Sequence, residues 1–301
     1  MEYIKIPNLY KVYDKFADSE EVYIMEKIHG TSTWLWMKTN YELRLHSGGE
    51  SEAGFRKLFD VDELQKKIKQ IMIEKGYELI KIHGKCYGEK QQKMSATYGD
   101  KLKFVAFDVF IDDKFLDVPM ADKFIQNIGL EFVHYIKGPI VAENIESQAE
   151  ADSVQAIRNG VGPGKLREGV VIRPINERLF DDGTRCIAKH KNHQFMEVLH
   201  KRPLIKKKLD GTCIDIIEQN HCTVANDWIT EMRVVHVIDK MLHNKQEKKL
   251  DKSDLVQFLE LLVNDVEAES HGEIEWTDIL RKEMKTQGRI IYLNVLKKMM
   301  I

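Results

Sequence analysis

The chain has 301 residues, of which 43% are hydrophobic and 31% are charged. This balance is typical of a folded globular protein, and the length favours two domains. The formal net charge of −2 argues against a surface that is basic all over, but it leaves room for a local basic groove. No segment has the ~20 consecutive apolar residues of a membrane span. The four cysteines form no Cys-x-x-Cys pair, so we expect a cytoplasmic protein with reduced thiols.

The first elements along the chain are strands and a helix. Residues 22–27 predict a strand, and residues 33–38 and 41–46 predict a hairpin around the polar pair Thr39-Asn40. Apolar residues spaced by three and four predict one helix over residues 55–75, and Gly76 ends it. This alternation of element types is typical of an α+β fold.

Strand-like segments resume at residues 77–87, 102–111, 169–173 and 185–189, with a short helix at 121–128. After residue 200 a basic stretch at 201–208 leads into repeats of helical period, with Ser253 and Thr277 as expected N-caps. We therefore predict a mostly antiparallel α+β domain over residues 1–203 and a smaller, all-helical C-terminal domain over residues 204–301.

The segment Glu26-Lys27-Ile28-His29-Gly30 places a lysine at the end of an apolar strand, three residues before a glycine. Such a strand can hold the lysine rigid and partly desolvated, which lowers its pKa and frees the amine as a nucleophile. The glycine lets a ligand approach the backbone closely. Taken alone, Lys-x-x-Gly is a common pattern, and a surface lysine before a turn would explain it equally well.

Three further segments follow in order. Phe107-Asp108 places one acid inside an apolar strand, and a buried carboxylate needs a partner or a metal. Glu168-Gly169 opens another strand. Lys189 and Lys191 are two residues apart, so on a strand both face the same side. Two cations held together inside a domain indicate an anionic ligand, for which a triphosphate is the natural candidate.

These four segments resemble motifs of the covalent nucleotidyltransferases, which comprise ATP-dependent RNA and DNA ligases and mRNA capping enzymes. In detail they are similar to the T4 phage RNA ligase 2 family, and the strong resemblance covers residues 20–200. It implies a nucleotidyltransferase (ATP-grasp-like ligase) domain and an ATP-dependent RNA ligase that forms lysyl-AMP. Beyond residue 200 the resemblance is weak.

The resemblance also implies roles for single residues. Lys27 would be the nucleophile that becomes lysyl-AMP, and Lys189 and Lys191 would bind the α-phosphate. The other nucleotide-binding residues would be Glu26 and Phe107 at adenine, Ile28 beside them, Glu89 at the ribose, and Glu168. Asp108 and Glu168 would support a divalent cation, Mg²⁺ or Mn²⁺.

One position departs from the family pattern, which has an arginine shortly after the nucleophile, followed by a small polar residue and glycine. Here Ser47-Gly48 aligns with that pair, so His46 takes the place of the arginine. With a local shift Arg44 could serve instead, since both residues face the same side of a strand. Histidine lacks the planar fork with which arginine binds phosphate, so the 5′-phosphate contact stays open between Arg44 and His46.

The expected function is sealing of 3′-OH/5′-phosphate nicks in RNA repair, by a monomer that binds nicked duplex RNA or an RNA/DNA hybrid and no membrane. Rival functions are a DNA ligase, a capping guanylyltransferase, and a non-catalytic RNA-binding relative. A DNA ligase or capping enzyme usually appends an OB-fold barrel, which would require strands after residue 200, where the sequence predicts helices. A binding module would not need Lys27, Glu168, Lys189 and Lys191 together.

Overall fold

The computed structural model describes residues 3–89, 91–200, 221–244 and 250–299. Its internal contacts divide the chain into two units, Met1–Asn192 and His193–Ile301. The predicted boundary at 203/204 and the basic stretch at 201–208 fall outside the described residues. None of the described helices is both long and apolar enough to cross a membrane.

The described strands all belong to the first unit and form two sheets. A four-stranded sheet has the order β7-β1-β8-β9, and a five-stranded sheet has the order β3-β2-β4-β5-β6. Every pair of neighbouring strands is antiparallel, which confirms the predicted fold class. The strands are β1 (Glu21–Lys27), β2 (Thr31–Lys38), β3 (Arg44–Ser47), β4 (Leu79–Tyr87), β5 (Lys103–Ile111), β6 (Lys114–Phe115), β7 (Tyr135–Pro139), β8 (Gly169–Pro174) and β9 (Ala188–Lys191).

The helices of the first unit are mostly short. They are α1 (Leu9–Val12), α2 (Glu52–Arg56), α3 (Val61–Lys75), α4 (Ser95–Tyr98), α5 (Val118–Asn127), α6 (Ala142–Ala149) and α7 (Val154–Arg158), with 3₁₀ turns at Tyr13–Phe16 and Gln91–Lys93. The prediction of one helix over residues 55–75 is wrong, because the Asp60 side chain accepts the Glu63 N–H at 3.1 Å and starts a new helix. Gly76 ends α3 in the left-handed conformation, as predicted.

Helices α3 and α5 cover one face of the five-stranded sheet. On β2 the inward residues Leu35 and Met37 are fully buried, whereas Trp34 and Trp36, which alternate with them, point to the other face and are half-buried. The sheet therefore has one face closed by helices and one face directed away from them. The second face leads to the candidate site.

All of the regular elements in the described part of the second unit are helices, which confirms the helical C-terminal region. Its helices are α8 (His221–Trp228), α9 (Glu231–Asn244), α10 (Leu255–Glu269) and α11 (Asp278–Met299), with 3₁₀ turns at His193–Phe195 and Lys252–Asp254. Thr277 caps α11 as predicted, since its Oγ1 accepts the Leu280 N–H at 3.1 Å. Ser253 is not a cap: Asp251 and Asp254 form a reciprocal capping box around it.

The second unit contains a buried cation, Arg233, with 0% of its side chain exposed. Its guanidinium contacts Asp265 at 2.6 Å, Glu269 at 3.3 Å and Glu197 at 3.6 Å. Burial raises the pKa of Asp265, but the charge of Arg233 outweighs this and holds that pKa below its usual range. Arg233 thus contacts three acids of the helical unit, and Lys240 adds a second cation at Asp265, at 2.7 Å.

We expect Arg233→Met to lower the free energy of unfolding by about 3–5 kcal/mol at neutral pH, because three mostly buried acids lose this cation and only Asp265 retains a lysine, Lys240. The loss should shrink as the pH falls towards the ordinary carboxyl pKa, since protonation removes the repulsion. Urea unfolding followed by circular dichroism measures both effects. The matched control is Arg281→Met, which breaks an exposed pair with Glu267 and should cost less than about 1 kcal/mol. Equal losses in the two variants would contradict this account.

Candidate active site

The candidate nucleophile Lys27 ends β1, beside the first residue of β8 in the sheet. The antiparallel register places Lys27 opposite Gly169, and Gly169 opposite Lys191 on β9. Glu168 precedes Gly169, and its Oε1 lies 2.5 Å from the Lys27 Nζ. The two side chains are only 16% and 11% exposed. The fold therefore brings three residues of separate sequence motifs to one point.

The charges around this point act in opposite directions on Lys27. Burial is the largest cause that lowers the pKa of Lys27; Glu168 raises it, and Lys191 and Lys189 lower it further. The net pKa is below the ordinary lysine value, so a larger share of the amine is neutral and nucleophilic. The pKa of Glu168 is well below its usual range despite burial, mainly because Lys27 is adjacent.

Two glycines of the motifs are required by close backbone contacts. A side chain on Gly169, whose φ is +146°, would place its Cβ 2.2 Å from the His190 carbonyl oxygen. A side chain on Gly30 would place its Cβ 2.6 Å from the Cys86 carbonyl oxygen. Only glycine lets β8 approach β9, and the segment after Lys27 approach β4, this closely.

A cavity of about 260 Å³ opens beside Lys27, between the two sheets. Phe107 lines it from a β-bulge, because β5 holds one residue more than β4 between the pairs His83–Asp108 and Gly84–Ala106. Residues from both sheets line the cavity, among them Glu26, Lys27, Ile28, Ser32, Lys85, Phe107, Val171, Arg173 and Lys189. It combines an apolar wall with a cluster of lysines, which suits a purine nucleotide.

Glu26 lines the cavity and is 2% exposed. Its carboxyl accepts the Ser153 hydroxyl at 2.5 Å and the Gln155 backbone N–H at 3.2 Å. Burial raises the pKa of Glu26, although the Ser153 hydrogen bond opposes this. A carboxyl with a raised pKa is protonated more readily, so it can exchange hydrogen bonds with a neutral polar ligand.

Lys85 is a site residue that the sequence analysis missed. It lines the cavity from β4, and its ammonium donates to the Gly30 carbonyl oxygen at 3.0 Å and to Ser32 Oγ at 3.1 Å. No carboxylate of the described residues pairs with it. Burial, and then the charge of Lys27, lower the pKa of Lys85 to about 8. The available signal was the alternation of Lys81, His83 and Lys85 with mostly apolar residues before Tyr87.

The structure does not place Arg44, His46 or Glu89 among the residues that line the cavity. Arg44 and His46 are exposed on β3, where Arg44 pairs with Glu42 at 3.3 Å and His46 stacks on Trp34. Glu89 is exposed in the turn after β4, and its N–H donates to the Gly99 carbonyl oxygen at 3.0 Å. Their expected nucleotide contacts stay predictions.

Asp108, expected as a metal ligand, is fully buried in an ion cluster. Its Oδ1 lies 3.0 Å from Arg173 Nη1, and its Oδ2 lies 2.5 Å from Arg185 Nη1. The Tyr3 hydroxyl donates to the same Oδ2 at 2.6 Å. The arginines hold the pKa of Asp108 below its usual range even though burial opposes this. Because the arginines already compensate this carboxylate, the structure favours a structural role over the expected metal-binding one.

The sequence profile of the RNA ligase family matches residues 20–191, which is more than half of the chain. The chain belongs to the RNA ligase family. No curated protein sequence gives a significant match.

Similar solved structures include an RNA ligase of Naegleria gruberi with PPi, at 13% identity and a TM-score of 0.48. A lysine-to-alanine variant of that ligase with ATP and Mn has 12% identity and a TM-score of 0.47. Both matches cover 65% of this chain and 57% of the other. The chain thus spans just over half the length of the solved ligases that it resembles.

We expect Asp108→Asn to lower the free energy of unfolding by about 3–5 kcal/mol, because Arg173 and Arg185 lose a buried counter-charge. Urea unfolding measures the loss, and Glu42→Gln is the control, since its pair with Arg44 is exposed and should cost under about 1 kcal/mol. A stable Asp108→Asn protein with a raised Mg²⁺ requirement for adenylylation would instead support metal binding.

We expect the amine of Lys85 to titrate near its pKa of about 8. Acylation at a series of pH values, quantified by peptide mass spectrometry, should half-label Lys85 well before the exposed Lys137, whose pKa Glu21 raises. Lys27→Met should move the Lys85 half-point to higher pH, because the charge of Lys27 lowers the pKa of Lys85. An unchanged half-point would show that the two amines are not coupled.

Proposed function

We propose that the protein is an ATP-dependent RNA ligase that seals 3′-OH/5′-phosphate nicks through lysyl-AMP. The observation that carries this proposal is the mostly buried pair of Lys27 and Glu168 beside a cavity of about 260 Å³ that Lys85 and Lys189 also line. Membership of the RNA ligase family supports it. ATP and a divalent cation, Mg²⁺ or Mn²⁺, are the cofactors of this reaction.

In the first step the neutral amine of Lys27 attacks the α-phosphorus of ATP. A nitrogen–phosphorus bond forms, the bond from the α-phosphorus to the bridging oxygen of the β-phosphate breaks, and pyrophosphate leaves. The lysine proton goes to solvent, since the lowered pKa of Glu168 makes that carboxylate a poor base. Glu168 instead orients the amine by its 2.5 Å contact.

The adenosine part of the nucleotide fits the apolar wall of the cavity. Phe107 offers a ring face for the base, with Ile28 and Val171 on the same cavity surface. Glu26 is the polar group at this wall, and its raised pKa suits hydrogen bonding to a neutral base edge. Glu89 keeps its expected role at the ribose as part of this proposal.

The phosphate part of the nucleotide fits the lysine cluster. Lys189 lines the cavity, and Lys191 lies two residues further along the same short strand. Positive groups fixed before the reaction stabilise the charge that develops on the α-phosphate oxygens. Of the two acids expected to support a divalent cation, Glu168 fits, because its carboxylate lies at the reacting amine and hard cations prefer oxygen ligands. The cation would neutralise phosphate charge.

The later steps transfer AMP and join the ends. A 5′-phosphate oxygen attacks the phosphorus of lysyl-AMP, which releases the Lys27 amine and forms a 5′-5′ pyrophosphate. A 3′-hydroxyl then attacks the 5′-phosphate, a phosphodiester forms, and AMP leaves. The substrate is a nicked duplex RNA or RNA/DNA hybrid, and the enzyme is a cytoplasmic monomer.

A capping guanylyltransferase or a DNA ligase is the nearest alternative. Both would share the chemistry at Lys27, but they usually carry an OB-fold barrel. The described part of the C-terminal unit contains helices and no strand, which favours an RNA ligase. A comparison of labelled ATP with labelled GTP separates the capping enzyme, and nicked duplexes with RNA or DNA at each end separate the ligases.

We expect Lys27→Ala and Lys27→Arg to abolish covalent adenylylation, because alanine has no amine and arginine stays protonated. Lys189→Ala and Lys191→Ala should each slow it by about 10²–10³, since each removes a fixed charge near the α-phosphate. Label from α-labelled ATP is followed on a denaturing gel, with Lys137→Ala as an exposed control on β7. Full labelling of Lys27→Arg would disprove the assigned nucleophile.

A further inference from the structure

We propose that one face of the five-stranded sheet is the track along which the 5′-phosphate end of an RNA strand approaches the bound nucleotide. The terminal phosphate binds at Lys85 and Ser32, and the following nucleotides lie on Trp34 and Trp36. This inference rests on the proposed function, because it assigns the polynucleotide substrate a place at the same site. We call this surface the phosphate track; its residues are Ser32, Trp34, Trp36, Arg44, Lys81 and Lys85.

The strand register places these residues on one face. Across β2 and β4, Ser32 pairs with Lys85 and Trp36 pairs with Lys81, and across β2 and β3, Trp36 pairs with Arg44. Directly paired residues of antiparallel strands point to the same side of the sheet. The opposite face is closed by α3 and α5, so the phosphate track is the face available to a ligand.

The phosphate track is continuous with the cavity. Ser32 and Lys85 line the cavity together with Lys27 and Lys189. Two and four residues further along β2, Trp34 and Trp36 are only half-buried, and their neighbour Arg44 is exposed. Alternate residues on a strand are spaced by roughly 7 Å. A strand of RNA can thus lie outside the cavity while its end reaches the nucleotide.

The inner end of the track is a half-buried ammonium that forms no direct ion pair with a carboxylate of the described residues. The Lys85 ammonium donates only to two neutral oxygens, Gly30 O and Ser32 Oγ, among the described residues. Several lysines share the single carboxylate of Glu168 at this point, so an anionic ligand beside Lys85 would be stabilised by their excess positive charge. The adjacent Ser32 hydroxyl can donate to the same ligand. A terminal phosphate supplies both the charge and the acceptor oxygens.

The outer end of the track alternates aromatic rings and cations. The ring centroids of Trp34 and Trp36 are 6.2 Å apart. Lys81 Nζ lies 5.3 Å from the Trp34 ring centroid, and the Arg44 guanidinium carbon lies 5.6 Å from that of Trp36. Proteins that bind single-stranded nucleic acid use this combination, since bases stack on the rings and cations contact the phosphates. A bound base would displace the flexible lysine from the ring to a phosphate.

This arrangement also assigns a role to Arg44, at the position where the sequence departs from the family pattern. Arg44 and His46 were the two candidates for the 5′-phosphate contact, yet both lie on β3 outside the cavity lining. Lys85 takes the terminal phosphate in their stead, from a different strand. Arg44 then contacts a phosphate further along the RNA, which requires charge more than a particular geometry.

The first experiment measures binding of the full-length protein, without ATP, to single-stranded RNA with either a 5′-phosphate or a 5′-hydroxyl. Fluorescence anisotropy gives both dissociation constants. We expect the wild-type protein to prefer the 5′-phosphate, Lys85→Met to lose that preference, and Lys85→Arg to keep part of it. Lys81→Met should weaken binding of both RNAs equally. Lys85→Met with an unchanged preference would overturn the terminal-phosphate assignment.

The second experiment tests the outer end of the track with the same RNAs. Trp34→Leu and Trp36→Leu should each weaken binding by about 5- to 100-fold, and Trp34→Phe should retain most of it. Arg44→Met should reduce the slope of log affinity against log salt by about one. The matched control is Lys69→Met with Tyr41→Leu, since this lysine–aromatic pair involves α3 on the opposite face.

Two outcomes distinguish this inference from the proposed function. Tryptophan variants that fold, as judged by thermal melting, and that bind RNA like the wild type would refute the phosphate track while lysyl-AMP formation stands. A wild-type protein that forms no lysyl-AMP would refute the proposed ligase, and the binding data would still decide whether RNA lies on this face.

Discussion

The contact between Lys27 and Glu168 is the interaction on which the site depends. It joins the end of β1 to the start of β8, and Gly169 permits it by letting β8 approach β9. The carboxylate of Glu168 is thus surrounded by four lysines: Lys27, Lys85, Lys189 and Lys191. Glu168 raises the pKa values of Lys27 and Lys85, and the neighbouring lysines lower them. The cavity therefore has more positive than negative charge at its inner end. An anionic ligand relieves this imbalance, so nucleotide binding and the stability of the site are coupled.

The ion cluster around Asp108 links the two sheets beside the cavity. Asp108 comes from β5 of one sheet and Arg173 from β8 of the other, and they meet at 3.0 Å with both side chains buried. Phe107, next to Asp108, lines the cavity. This buried pair, with Arg185 as a further partner, fixes the distance between β5, which carries Phe107, and β8. Strand β8 lies between β1, which carries Lys27, and β9, which carries Lys189.

The sequence predicts those features that depend on neighbouring residues. Alternation and helical spacing gave most strands, α3 and the helical C-terminal region, and the motif at Lys27 led to Glu168 and Lys189. Features set by distant residues were missed. An acid in an apolar strand requires a cation, but nothing local shows that Arg173 and Arg185, 65 and 77 residues away, provide it instead of a metal. The role of Lys85 likewise depends on distant residues, because its ammonium meets Ser32 only when β2 and β4 pair.

The same reasoning explains how a chain of net charge −2 can bind a polyanion. The position of each charge depends on strand register and not on overall composition: β3 contributes Arg44, and β4 contributes Lys81 and Lys85, to one face of the sheet. Burial then decides which of them are sensitive to pH. Lys85, with a pKa of about 8, is mostly charged at neutral pH and loses its charge as the pH rises through that value, whereas an exposed lysine keeps its charge to about pH 10. Binding of a terminal phosphate should therefore weaken in mild alkali, under conditions in which the guanidinium of Arg44 keeps its charge.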